Sequence, residues 1–227
     1  SISMSLNNII GFYSVPISAL GGAVFVIFIL LMSFDWLNLN KILLTGVIVS
    51  FVSSSLLMLI LSISKSETLH GIIYWMLGSL DESSNLLIYT TLFTSFLGFG
   101  IFFIISRQVN VLQMGYDKSV SLGVNVGFIT KLIIFLSCVI TSMSVTSAGM
   151  IGFVGLIIPQ FMRKLFGSDY RVLSVLTFFA SSSFLIACDI VARKIIAPNE
   201  LPIGVITGIV GGVMFILIFK SRKKGVR

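Results

Sequence analysis

The sequence predicts an all-α, polytopic helical membrane protein, and three observations carry that expectation. The 227 residues are 56% hydrophobic and only 10% charged, with mean hydropathy +1.11, too little charge to cover a soluble domain. Several apolar runs reach the roughly 20 residues that a helix needs to cross a bilayer core. These runs are continuous and do not alternate with polar residues as membrane-barrel strands would.

Seven spans are expected, near residues 15–33, 42–63, 86–105, 132–148, 150–162, 172–192 and 201–219. The first lacks the basic flank and small-residue cleavage site of a signal peptide and reads as a span. In the second, Gly46, Ser50 and Ser54 recur every four residues, as Gly204, Gly208 and Gly212 do in the last. Such spacing puts small residues on one helix face and lets another backbone approach, within the subunit, at a subunit interface or along a pathway. The segment 64–85, SKSETLHGIIYWMLGSLDESSN, reads as an outer loop with a short helix. Tyr74 and Trp75 there are aromatics that favour a membrane interface. His70 has no Cys or His partner in sequence and reads as solvated rather than as a ligand.

After the third span comes GYDKSVSLGVN, residues 115–125, a compact polar island in otherwise apolar sequence. The fifth span, within GMIGFVGLIIPQFMRK, carries Gly149, Gly152 and Gly155 and then Pro159. Glycine and proline weaken a regular helix, so a short, broken or tightly packed element is expected. The sixth ends in ACDIVARK, where Asp189 and Arg193 lie four apart and share a helix face. Charge inside a membrane is costly and points to function, whereas a mutually neutralised pair near a helix end also serves to fix position. Pro198 and Pro202 bracket the turn before the last helix. Cys138 and Cys188 fall inside apolar runs and read as packing residues rather than a disulfide or a metal site.

Alternate threading places Lys41, Arg107, Lys118, Lys131, Arg163, Lys164, Arg171, Lys220, Arg222, Lys223, Lys224 and Arg227 on one side. Only Lys65, Arg193 and Lys194 remain on the other, so the 15 basic residues divide 12 to 3. The rich side is therefore cytoplasmic, with the C-terminus on it. The tail KSRKKGVR is an inside anchor, not a nucleic-acid patch. The N-terminus falls outside, and the chain begins with Ser1. Either an odd number of helices precedes it, or this is a seven-helix protein of receptor or retinal-protein topology.

Chemistry is scarce. No GxxxxGK[ST] phosphate loop is present, so ATP is not bound by that route. No metal-ligand cluster or nucleophile–base pair stands out, and the last helix has no lysine before Lys220 to hold a retinal. No catalytic residue, metal ligand or bound cofactor is expected, and transport becomes the leading class.

Several segments, in order, resemble the FecCD/BtuC-type permeases of type II ABC importers for iron–siderophore, haem or cobalamin. They are LLTGVIVS, YWMLGSL, NVLQMGYDKSVSLGVN, GMIGFVGLIIPQFMRKLFGSDYRVL and ACDIVARKIIAPNELPIGVITGIVGG, running from about Leu43 to Phe219. The resemblance implies a single permease domain matching helices four to ten of a ten-helix fold, with three helices ahead of Ser1. It implies a homodimer or paired permease in the cytoplasmic membrane, cytoplasmic ATPase subunits that hold ATP and magnesium, and an extracytoplasmic binding protein. The loop 107–131 corresponds to the segment that couples to the ATPase. There Asp117, Lys118, Ser119, Leu122 and Gly123 resemble a worn acidic–small–small–x–x–x–Gly coupling signature, with Lys118 departing from it. The resemblance further places Arg163, Lys164 and Arg171 at the cytoplasmic face, and Asn38, Asn40, Gly46, Ser50 and Ser54 along the pathway and gate. Arg193 and Lys194 stand where binding-protein docking is expected. Met150, Gln160 and the Gly212-Val213 pair depart from the family's usual residues. A secondary transporter using Asp189 as an ion site, a seven-helix receptor and an inactive truncated remnant are the alternatives.

Overall fold

In the computed structural model of the chain, the residues described are 18, 21–32, 39–64, 66–80, 85–195 and 201–222. Among them are nine helices and no strand: α1 (Gly21–Met32), α2 (Leu39–Ile63), α3 (Ser66–Leu77), α4 (Asn85–Leu112), α5 (Tyr116–Ser121), α6 (Val126–Ala148), α7 (Val154–Phe166), α8 (Tyr170–Ile195) and α9 (Ile203–Arg222). Each of the seven expected spans overlaps one of these helices. Four stretches, Leu43–Ile63, Asn85–Leu112, Val126–Ala148 and Tyr170–Ile195, are long and apolar enough to cross a membrane. The apolar parts of α1 and α9 are shorter, and α7 has 13 residues with Pro159 inside it. At 1.5 Å per residue α7 measures only about 20 Å, the short element that its glycines and proline predict.

Helix α4 packs on α6 and α8, α7 on α8 and α9, and α8 on α9. Between α4 and α8 the rings of Phe96 and Phe99 lie 5.8 and 5.0 Å from that of Phe178, tilted as aromatic quadrupoles prefer. By contrast, no residue of the apolar stretch of α2 is buried within this chain. Gly46 has open space beside it, and Ser50 and Ser54 are exposed. Side chains of apolar character that are left bare in this way suit a lipid tail or another protein helix equally.

The packed helices have two differently built ends. At one end, α3 runs into the α6–α7 junction and the start of α9. The Ser79 amide donates to the Ala148 carbonyl at 3.1 Å. A Cβ on Gly149 would collide with the Trp75 carbonyl oxygen and stand 2.8 Å from the Gly78 Cα, and one on Gly204 would collide with the Leu77 carbonyl oxygen. Gly149 also has φ 71° and ψ −166°, a conformation essentially restricted to glycine. Three backbones therefore meet where side chains are missing. Beside them Cys188, Ala192, Ile203 and Ile206 form a buried apolar cluster, with Ile151, Phe184, Leu185 and Leu201 against it. Phe153, which precedes α7, has φ 67° despite its side chain. Its position is matched by Gly211, whose missing Cβ leaves the space that the Phe153 side chain approaches.

The opposite end brings together the close of α4, the short helix α5, and the α7–α8 connection. Its buried cluster is Ile105, Val109 and Ile129, flanked by Phe102, Leu112, Val124, Leu132, Ile133 and Tyr170. This end carries the polar island.

Candidate functional site

The segment 107–131 contains the end of α4, the six-residue α5, and the start of α6. Its local structure follows from its residues. Gly115, with φ 97° and ψ 166°, opens the turn out of α4. Helix α5 closes on a Schellman motif: the Val124 amide donates to the Ser119 carbonyl at 3.0 Å and the Gly123 amide to the Val120 carbonyl at 2.9 Å. Gly123 is the left-handed residue of that motif, with φ 77°. A Cβ there would meet nothing within 4 Å, so the glycine answers a backbone demand and not a shortage of space. Asn125 then caps α6, its Oδ1 accepting from the Phe128 amide at 3.1 Å.

Five candidate residues fall on this segment, and the structure divides them. Ser119 is completely buried. Its hydroxyl lies 3.0 Å from the Val111 carbonyl and 2.7 Å from that of Gly115, holding α5 down on the last turn of α4. Asp117, Lys118, Leu122 and Gly123 face outward. With them Met114, Tyr116, Val120 and Leu122 expose between 50% and 61% of their surface, an apolar face on a polar segment. A shallow cavity of about 500 Å³ beside it is lined by Tyr116, Val120, Gly123, Val124 and Asn125, among others.

Next to α5 in the chain lies a hydrogen-bonded junction whose side-chain partners, Asn110, Gln113 and Asp169, are not among the candidate residues. Asn110, near the end of α4, donates from Nδ2 to Asp169 Oδ1 at 2.7 Å, and its Oδ1 accepts from the Tyr170 amide at 2.8 Å. Gln113 Nε2 donates to the Ser168 carbonyl at 3.0 Å and stands 3.3 Å from Asn110 Oδ1. Asp169 caps α8: its Oδ1 also accepts from the Arg171 amide at 2.9 Å, and its carbonyl takes the Leu173 amide at 2.8 Å. The Arg171 amide, then the Asn110 carboxamide, hold the Asp169 carboxyl below the usual carboxylate range. Asn110 and Gln113 lie one turn apart within NVLQ, and Ser168-Asp169 before an apolar run is a cap signature. Both signals were available in the chain, but nothing in it says that they meet.

Arg163 and Arg171 flank the junction. Arg163 Nη2 donates to the Tyr170 hydroxyl at 2.8 Å, and its guanidinium stands 5.2 Å from that ring's centroid. Arg171 sits over the Phe103 ring at the same distance. Such cation–π placement is more typical of Arg than of Lys, because the planar guanidinium is weakly hydrated. Lys164 is exposed.

The remaining candidates lie elsewhere. Arg193 Nε donates to Asp189 Oδ2 at 2.8 Å, the expected pair one turn apart near the glycine-built end. Their side chains keep 39% and 24% of their exposure, so the rest of the chain does not enclose the pair. Lys194 beside it is exposed. Asn38 lies outside the described residues, and Asn40 is placed only as backbone in the first turn of α2. Gly46, Ser50 and Ser54 follow along that helix, without the polar junction or the ion pair beside them.

Comparison with known proteins agrees with this architecture. The profile of the FecCD transport family matches residues 1–221. The chain is 34% identical, over 96% of its length, to an uncharacterised ABC transporter permease protein of Bacillus subtilis. It is 31% identical over 82% of its length to the hemin transport system permease protein of Yersinia pestis, and 32% over 94% to a vitamin B12 import system permease protein of Klebsiella pneumoniae. It spans 63%, 56% and 65% of the length of these three relatives. Among solved structures, a metal-chelate type ABC transporter in an inward-facing conformation superimposes with a TM-score of 0.80 at 28% identity, over 90% of this chain and 72% of that one. A multi-pass array of apolar helices joins the ordered motifs to these matches: the chain belongs to the FecCD transport family.

Proposed function

We propose that this chain is the membrane-spanning permease part of an ABC importer that moves a metal chelate into the cytoplasm, driven by separate ATPase subunits. Iron–siderophore or haem is the expected cargo class, with cobalamin next. The observation that carries the reading is the α5 segment. It is a short helix with an outward apolar and charged face, closed by a glycine-based motif and seated by a buried serine. A permease without an ATP site must receive work through a surface contact. A rigid, protruding helix with a complementary face is what such a contact requires. The basic residues cluster on the side that bears α5, which by the positive-inside rule is the cytoplasmic side, where ATP is.

Transport here requires no covalent chemistry. Closure of paired ATPases would displace α5, and packed helices would pass that displacement to the pathway. Arg193 and Lys194, at the other end, offer positive charge to acidic groups of a binding protein. Relatives with names as different as hemin, Fe(3+)-citrate, vitamin B12 and molybdate permeases suit a pathway whose selectivity lies in the binding protein. The deciding experiment is uptake into vesicles holding the full-length permease with its ATPase and binding protein, offered labelled haemin, ferric siderophore, ferric citrate, cobalamin and molybdate in turn. Accumulation of one chelate that requires ATP hydrolysis is expected. Uptake driven by a proton or sodium gradient without ATP would overturn the reading in favour of a secondary transporter.

A further inference from the structure

We infer that Asn110 and Asp169 are positioning residues that bind the coupling segment and α8 into one mechanical unit. Displacement of α5 is thereby carried along α8 to the opposite end of the helical array. The inference rests on the reading of 107–131 as the ATPase-coupling segment.

A chain of directed bonds runs from α5 to α8. Ser119 ties α5 to the Val111 carbonyl, one residue from Asn110. Asn110 then grips the α8 cap at two points, the Asp169 carboxylate and the Tyr170 amide. Gln113 adds a third, on the Ser168 carbonyl. From Tyr170 the helix is unbroken for 26 residues, about 39 Å at 1.5 Å per residue. Its far turn holds Asp189, Arg193 and Ala192, the last packed into the cluster with Ile203 and Ile206 of α9. Ring contacts at the same level, Phe102 edge-on to Tyr170 and the Arg171 guanidinium over Phe103, hold the helices close. They tolerate a wider range of offsets than a hydrogen bond, which weakens steeply as its angle bends.

The identity of residue 110 matters for a chemical reason. Its side chain must donate to a carboxylate and accept from an amide at once, and a carboxamide of this length does both. An aspartate at 110 would face the Asp169 carboxylate with no proton between them. The demand on residue 169 is looser: its Oδ1 accepts both from Asn110 Nδ2 and from the Arg171 amide, so an asparagine there keeps both bonds with its amide oxygen in the same place. Exchanging the two residues would instead put an NH2 group where the Arg171 amide needs an acceptor.

The test is amide hydrogen exchange on the full-length permease–ATPase complex in lipid nanodiscs, comparing the nucleotide-free form with the form trapped by ATP and orthovanadate. In the wild type, protection is expected to change together in 107–124 and in 170–195. In Asn110→Asp the change in 170–195 should be lost while that in 107–124 remains. Asp169→Asn, which keeps every bond, should behave as wild type. Linked changes that survive Asn110→Asp, or an Asp169→Asn variant that loses them, would overturn the inference while leaving the coupling reading intact. A wild type whose 107–124 segment ignores nucleotide would instead overturn the coupling reading itself, and with it this one.

Discussion

The two ends of the helical array are held together by opposite means. At the end bearing Gly78, Gly149 and Gly204, backbone meets backbone because side chains are absent. At the end bearing Asn110 and Asp169, side chains reach across and bond. The first kind of contact is intolerant of added atoms and indifferent to charge. The second depends on which atom donates and which accepts, and it responds to protonation. The contrast suggests a division of labour, with a stiff end that keeps α3, α6 and α9 in register and a bonded end that can pass a load without losing alignment.

Substitution at the glycine end is expected to have the largest effect. Gly149→Ala would combine a left-handed backbone strain with a collision against main chain, costing about 3 kcal/mol or more. Gly204→Ala, in ordinary helical geometry, should cost about 1–3 kcal/mol. Gly208→Ala and Gly212→Ala, which face open space in this chain, are the controls. Thermal denaturation of purified full-length variants in detergent would rank them, and equal stability of all four would break the picture of a backbone-built end.

Next comes Gly123→Val at the bonded end. The space is open, so the cost is conformational, about 1–2 kcal/mol for a left-handed non-glycine residue. A β-branched side chain worsens it. The membrane helices should remain folded while the closure of α5 is lost. ATP hydrolysis should then continue in vesicles with uptake reduced. Undiminished uptake would remove α5 from the coupling role.

Arg193→Glu is a milder perturbation. It reverses a charge at the stiff end and sets two carboxylates one turn apart, without touching the glycine contacts. Weaker binding-protein affinity with unchanged ATPase assembly is expected. Unchanged affinity by surface binding measurements would refute a docking role.

The smallest effect is that of pH. Because the Asp169 carboxyl is held below its usual range, the junction is fully formed above the ordinary carboxylate value of about 3.9. It weakens only as pH falls through the lower, folded value. Exchange at the Tyr170 and Arg171 amides should therefore be insensitive to pH-dependent opening across the neutral range, once corrected for intrinsic rates. A midpoint near neutrality would contradict the geometry.

Much of the fold was legible from the chain because its signals are local. Hydrophobic runs long enough to span, the four-residue spacing of Asp189 and Arg193, and the D-K-S-V-S-L-G run each act over a single helix or turn. In that run the final glycine is the left-handed closure of α5, and the serine at 119 proves to be an inward anchor and not a surface contact. The glycine stripes were only partly informative. Of Gly149, Gly152 and Gly155 the structure presses just the first against backbone, and of Gly204, Gly208 and Gly212 just the first as well. Gly211, off the stripe, accommodates Phe153. Spacing along a helix shows which residues share a face, but not which face has a neighbour.

The sequence by itself determined that the chain is helical and apolar enough to be membrane-embedded, and where several of its helices break. Each of these depends on composition or on bonds spanning a few residues. Tertiary structure alone decided that Asn110 meets Asp169 across 59 positions, that Trp75 and Gly78 close on Gly149, and that α2 keeps a bare face. Those outcomes depend on how helices of similar apolarity choose partners. Hydrophobicity does not discriminate among such partners in a membrane, so packing shape and a few directed hydrogen bonds do.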